Sequence, residues 1–309
     1  MELAFLTLEQ VAVLFIMILA GFVCVKAGAI KMEGKAFFSD LLMKLTVPAM
    51  MLHSYMMEFD AKVFSNTVSV LGWSAMALIL SFAVTFLITG RMKERNMPII
   101  RCACVFSNAA YMGFPLIQAL FGSEGMIYAS AFVTVLNLFL WTIQYALLTG
   151  KVRLKDVVHT MLTMPTMIAI MIGLVIYLGR IPVPELIKRP LNTIGSMTTP
   201  LSMIITGMIM AGSNIRRQLR DLRLGLIILI RMLVVPAACI TLFHLIGAQG
   251  MAAAVIQILM CGPSAAVTTV FAVQFGYDEE LSAAAVVVTT FLSIFTLPLW
   301  AFLIESLVM

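Results

Sequence analysis

Ser107-Asn108-Ala109-Ala110-Tyr111-Met112-Gly113-Phe114-Pro115 lies in the middle of an apolar run long enough to cross a membrane, yet it holds an amide, a glycine and a proline. A spanning helix must satisfy every backbone N–H and C=O internally, because lipid offers no partner. Proline removes one donor and clashes with the preceding turn, and glycine loosens the helix further. Such a break is tolerated at mid-depth only where protein or a water-filled cavity surrounds it. One stretch of this kind reads equally well as a kinked structural helix. A second, Cys261-Gly262-Pro263-Ser264-Ala265-Ala266-Val267-Thr268-Thr269, occupies the corresponding place in the second half, with Asn108-Ala109-Ala110 lying against Ser264-Ala265-Ala266. Paired interrupted spans in two halves point to the binding site of a transporter.

Composition agrees with that setting. Of 309 residues, 62% are hydrophobic and only 11% charged, and the mean hydropathy is +1.06. Soluble domains are near half apolar and a quarter charged, so the chain reads as an integral membrane protein. The net charge of +5 is spread over short joints rather than gathered in a patch, which argues against nucleic acid as a partner. Cys24, Cys102, Cys104, Cys239 and Cys261 sit in or beside apolar segments, without the spacing of a disulfide framework or a metal site. The first apolar run outlasts a signal peptide and reads as a first span.

Ten apolar segments can be drawn, at roughly 8–28, 36–56, 66–90, 99–120, 125–148, 158–178, 191–212, 222–246, 251–273 and 280–305. The polar joint Lys151-Val152-Arg153-Leu154-Lys155-Asp156 divides them into two sets of five, residues 1–150 and 151–309. Most of the lysines and arginines fall in joints after odd-numbered segments: Lys26, Lys31 and Lys35, then Arg91, Lys93 and Arg95, then the mid-chain joint, then Arg216, Arg217, Arg220 and Arg223. Basic residues favour the cytoplasmic side, which puts those joints inside and both termini on the non-cytoplasmic side of a plasma or inner membrane. Five spans per half is an odd number, so a repeat between the halves is inverted. Leu45-Thr46-Val47-Pro48 against Met197-Thr198-Thr199-Pro200, and Phe121-Gly122 against Phe275-Gly276, support such a repeat. The expected fold is therefore all-α: ten transmembrane helices in two inverted five-helix repeats, with helices 4 and 9 broken and crossing.

Broken helices present N-terminal N–H groups and partial positive charge at the centre, a setting suited to a carboxylate. Ser107, Asn108, Ala109, Pro263, Ser264 and Ala265 are the candidate substrate-binding residues there, and Gly113, Pro115, Gly262 and Pro263 the candidate helix breakers. In the fifth segment Asn137, Trp141 and Gln144 follow i, i+4, i+7 spacing and share a helical face. Asn137 and Gln144 join the candidate set, although hydrogen bonding between helices explains such a face equally well. Lys44 and Arg231 lie inside segments, and intramembrane charges are functional candidates because burying them is costly. Both are candidates for attracting an anion, or for pairing with a carbonyl. No phosphate-binding loop and no nucleophile–base pair is visible, so neither ATP coupling within the chain nor catalysis is expected. No cofactor is called for, and a coupling H⁺ or Na⁺ is left open. A membrane sensor that binds the same anion without moving it is the competing reading, with no signalling domain to support it.

The chain resembles the auxin efflux carrier family over nearly its whole length. Asn108-Ala109-Ala110-Tyr111-Met112-Gly113-Phe114-Pro115-Leu116 is similar to the family's fourth-span pattern Asn-Thr-x-x-x-Gly-x-Pro-Leu. Pro263-Ser264 with Val270-Phe271-Ala272-Val273-Gln274-Phe275-Gly276 is similar to the ninth-span pattern, and Pro48 and Leu140-Trp141-Thr142 match parts of the second and fifth. The resemblance implies a scaffold from spans 1, 2, 6 and 7 and a transport domain from spans 3–5 and 8–10. It also implies elevator-like movement of organic anions and a homodimer. Plant members carry proline where this chain has Ser107, a departure that predicts a softer break.

Overall fold

The structure, a computed structural model, describes residues 2–150, 154–212 and 218–308. Residues 151–153 of the mid-chain joint, and Ser213–Arg217 of the joint before the eighth segment, lie outside the described residues. In chain order the helices are α1 Glu2–Lys26, α2 Gly34–Leu41, α3 Val47–Ser54, α4 Ala61–Thr89, α5 Met97–Val105, α6 Phe114–Phe139, α7 Tyr145–Thr149 and α8 Leu154–Thr163. They continue as α9 Pro165–Leu178, α10 Glu185–Ser196, α11 Thr198–Gly212, α12 Leu222–Leu229, α13 Val235–Leu245, α14 Met251–Cys261, α15 Val267–Phe275 and α16 Glu279–Val308. Among the described residues there is no strand, only one isolated antiparallel bridge.

Among the described residues six helical runs, not ten, are each long and apolar enough to cross a membrane: Leu3–Lys26, Ala61–Thr89, Ala109–Thr149, Glu185–Gly212, Leu222–Leu245 and Glu279–Val308. The differences from the ten-segment expectation have local causes. The second segment carries Lys35, Asp40 and Lys44 within one helical stretch. The fourth and ninth segments are cut in two. The second half of the fourth continues through the fifth as one run, turning at Gly122, whose φ of 59° and ψ of −149° are open to glycine. Pro165–Leu178 and Met251–Cys261 are apolar but shorter.

Proline shapes the long runs in a repeated way. Wide π turns at Leu42–Thr46, Ala109–Gly113 and Ile230–Val234 each end two residues before a proline: Pro48, Pro115 and Pro236. Proline lacks the N–H that would bond the carbonyl four residues back and collides with it, and a wider turn relieves both. At the third site that carbonyl belongs to Met232, and the Trp300 indole N–H donates to it at 3.0 Å. Trp300→Phe removes that bond and should cost about 0.5–1.5 kcal/mol of stability. A lower thermal midpoint in detergent is the expected readout. Ala109–Gly113 also corrects the role expected of Gly113 and Pro115. Gly113 keeps ordinary helical angles, and Pro115 lies inside the run Ala109–Thr149, where the wide turn before it accommodates the missing N–H without ending the helix. Neither is the break. Gly113 instead allows close packing: a Cβ there would lie 2.5 Å from the Leu259 side chain on α14.

α1 lies along α11, α3 against α9 and α10, α4 against α5, α6 and α13, and α14 against α6 and α16. One face of the molecule is tied by Arg223, whose guanidinium reaches Asp221 (2.6 Å), Glu94 (2.8 Å) and Asp278 (3.2 Å). The Asp278 amide adds a bond to the Asn96 side chain at 3.1 Å. The hydrogen bonds from the Arg223 guanidinium hold the Asp221 carboxyl below the usual carboxylate range. The cluster gathers joints after the third, seventh and ninth segments onto one face, the grouping that the charge pattern assigns to a single side. At the other face Asp60 caps α4 through the amides of Lys62 and Val63. Its backbone also exchanges hydrogen bonds with the Tyr177 hydroxyl.

Candidate functional site

The two interruptions meet. Between α5 and the π turn, Phe106 is extended (φ −91°, ψ 127°), and Ser107 forms an antiparallel bridge with Ser264. The Asn108 N–H donates to Pro263 O at 2.9 Å, and the Ala265 N–H donates to Phe106 O at 2.9 Å. This short strand-like pairing satisfies backbone groups that the helices release, which is the condition for irregular backbone inside a membrane protein. It also explains why the break is complete without a proline at position 107. Each half supplies the other's hydrogen bonds, so the softer break expected from Ser107 is not found. Gly262 and Pro263 do lie within the second interruption, between α14 and α15.

Beside the pairing is a cavity of about 130 Å³, lined by Ser107, Asn108, Ala109 and Ala110 from one half and Ala265, Ala266 and Val267 from the other. Asn137, Trp141, Thr166, Met43 and Tyr111 complete much of its wall. The backbone N–H groups of Ala110, Tyr111, Ala266 and Val267 make no hydrogen bond among the described residues. All four belong to residues that line the cavity. They lie at the N-terminal ends of the Ala109–Gly113 turn and of α15, whose N-cap is Ala266, where a helix cannot satisfy its amides from within. The Ser107 hydroxyl and the Trp141 indole N–H are buried and also unpartnered. Among the described residues no Asp, Glu, Lys or Arg lines this space. A small apolar chamber with convergent donors and no acid suits a compact anion.

The other candidates are placed differently. Ser264 is fully buried and turned away: its hydroxyl donates to Ala103 O at 2.8 Å, and its N–H donates to the Thr289 hydroxyl at 3.0 Å. Pro263 contributes its carbonyl to the pairing and is not part of the cavity wall. Gln144 leaves the face it was expected to share with Asn137 and Trp141. A further π turn, Leu140–Gln144, adds a residue to the helix repeat, and the Gln144 amide donates to Pro98 O at 2.9 Å instead. Lys44 is exposed and paired with Asp40 at 2.8 Å, outside the cavity wall. Arg231 is fully buried beside the paired interruptions. Its guanidinium donates to Gly262 O (2.9 Å), Val105 O (2.9 Å), Met260 O (2.6 Å) and Cys104 O (3.4 Å). These are the last carbonyls of α5 and α14.

The cavity continues toward one end. A neighbouring space of about 530 Å³ shares Met43, Tyr111, Ala266 and Val267 with it and reaches Lys35 and Glu279. In the sequence Lys35 belongs to a joint, and no spacing links it to the interruptions. At the opposite end a separate space of about 550 Å³, lined in part by Phe59, Tyr177, Arg180 and Lys188, shares no residue with the central one.

A helical membrane protein whose two halves are each interrupted around a small central chamber belongs to the class of membrane transporters. The family model described as membrane transport protein matches the chain twice, over residues 6–161 and 151–301. The chain belongs to this family, the auxin efflux carriers. An uncharacterized transporter of Methanocaldococcus jannaschii is 22% identical over 316 residues, covering 96% of this chain and 98% of its own. One from Methanothermobacter thermautotrophicus is 21% identical over 299 residues, covering 95% and 97%.

Proposed function

We propose that this chain is a secondary carrier for small organic anions of the carboxylate class, working by elevator-type alternating access. The observation that carries the reading is the set of four unpartnered amides, from Ala110, Tyr111, Ala266 and Val267, around one apolar chamber. Helix N-termini favour a negative guest, and donors left unpaired in a core are costly until one arrives. Ten spans in two inverted five-helix repeats, residues 1–150 and 151–309, give the architecture of this proposal. The twofold family match supports it. Spans 1, 2, 6 and 7 form the scaffold, consistent with α1 lying along α11 and α3 against α9 and α10. Spans 3–5 and 8–10 move as the transport domain, and the working unit is a homodimer. With joints after odd-numbered spans in the cytoplasm and both termini on the other side of a plasma or inner membrane, the space reaching Lys35 and Glu279 opens inward.

An inside-negative potential favours anion exit by about 2.3 kcal/mol per charge per 100 mV, so export needs no coupled ion. Uptake against it needs H⁺ or Na⁺. The test is flux in proteoliposomes with phenylacetate and malonate as probes, under an imposed potential, a proton gradient or a Na⁺ gradient. Flux that follows one of these forces is the expected result. Binding of either probe without any flux replaces the carrier by a membrane sensor.

A further inference from the structure

We propose that Arg231 is the fixed countercharge of the central cavity: it holds the two half-helices by their C-terminal carbonyls and matches one negative charge on the substrate without touching it. This rests on the carrier reading above and specifies its substrate as a monoanion.

Three observations converge. First, an arginine stays cationic in proteins, and Arg231 is fully buried. Among the described residues no ion pair involves it. Its partners are four backbone carbonyls, so only the partial negative ends of α5 and α14 face it. Second, those carbonyls are close in sequence to the cavity wall. Val105, which Arg231 holds, is two residues from Ser107, and Gly262 is three from Ala265. Extended chain covers about 7–10 Å over two or three residues, close enough for charge to be felt through a buried crossing. Third, among the described residues the cavity wall itself contains no ionised side chain. The positive field there comes from Arg231 and the two sets of N-terminal amides.

The charge balance sets the selectivity. A monoanion in the cavity leaves the crossing neutral overall. A neutral molecule leaves the buried cation unmatched, and a dianion brings a second charge into an apolar chamber with nothing to meet it. Arg231 is therefore a positioning residue with an electrostatic reach, and its fork also fixes the spacing of the half-helices. Lysine keeps the charge but offers a single ammonium where four carbonyls need several separate donors.

The test uses the purified full chain in detergent and the dissociation constants of phenylacetate, phenylacetamide and phenylmalonate, read by tryptophan fluorescence, together with phenylacetate flux in vesicles. Wild type is expected to prefer phenylacetate to either other probe by about tenfold, the scale of one charge acting over such a distance at a protein-like dielectric. Arg231→Gln should bring phenylacetate and phenylacetamide within about twofold of each other, by removing that same charge. Arg231→Lys should keep the preference while its maximal flux falls, because the charge remains and the fork does not. A glutamine variant with the wild-type preference overturns the proposal and leaves the carrier reading standing. Should that variant not fold, wild type alone decides, since tighter binding of phenylmalonate than of phenylacetate overturns a single countercharge. Wild-type protein that binds the three probes equally, or binds none, overturns the carrier reading and this inference together.

Discussion

Asn108→Ala raises the KM for a transported carboxylate by about 10- to 100-fold, the range of one hydrogen bond to a charged group. The variant stays as stable as wild type. The two halves of this expectation come from different atoms of one residue. The Asn108 backbone is structural: its N–H donates to Pro263 O, and its carbonyl accepts from Met112 and Gly113. Alanine keeps all of these bonds. The side-chain amide makes no hydrogen bond among the described residues and belongs to the cavity wall, so truncation removes a contact with the guest and nothing else. Ser264→Ala is the useful contrast. Its hydroxyl is committed to Ala103 O, so that variant loses about 1 kcal/mol of stability with KM little changed. Concentration-dependent flux in proteoliposomes and thermal midpoints in detergent separate the two patterns. A wild-type KM in Asn108→Ala removes Asn108 from the site.

The interruptions are legible in the sequence because an amide, glycine and proline inside an apolar run conflict with the rule that a buried helix satisfies its own backbone. What the conflict does not reveal is where the released groups go. Gly113 and Pro115 look like the breakers, yet the chain leaves the helix earlier, at Phe106, because the second interruption offers Ser264 as a bridge partner. That pairing depends on residues some 150 positions away, beyond any local pattern. Gln144 illustrates a second limit. Regular 3.6-residue spacing puts it beside Asn137, and one π turn is enough to send it to Pro98. Arg231 illustrates a third. Its charge inside a span marks it for attention, but only the fold supplies the four carbonyls that make burial tolerable. Backbone amides have no sequence signature at all, so the donors around the cavity had to be inferred from the breaks that free them.

Gly207→Leu should prevent stable folding, with a loss above about 3 kcal/mol as for severe overpacking. Helices in lipid gain little from excluding water and associate through close van der Waals packing, which small residues permit. α1 and α11 meet in this way. A Cβ at Gly207 would run into the carbonyl oxygen of Ile18 and lie 2.7 Å from the Phe22 amide nitrogen. In return a Cβ at Gly21 would lie 2.5 Å from the Ile204 carbonyl oxygen. The obstacles on both sides are backbone, which cannot swing aside as a side-chain tip can. Relief requires the two helices to separate along their length, and buried residues such as Ile18, Ile205 and Met208 would lose their partners with them. Gly72 on α4 has nothing within 4 Å of its would-be Cβ. Gly72→Ala should therefore hold or raise stability, by about 0.5–1 kcal/mol, through the better helix propensity of alanine. Measuring both variants by fluorescence-detected gel filtration after heating tests the contact itself rather than glycine in general. A Gly207→Leu protein as monodisperse as wild type would mean that α1 and α11 do not touch at this point, and the scaffold proposed from them would lose its seam.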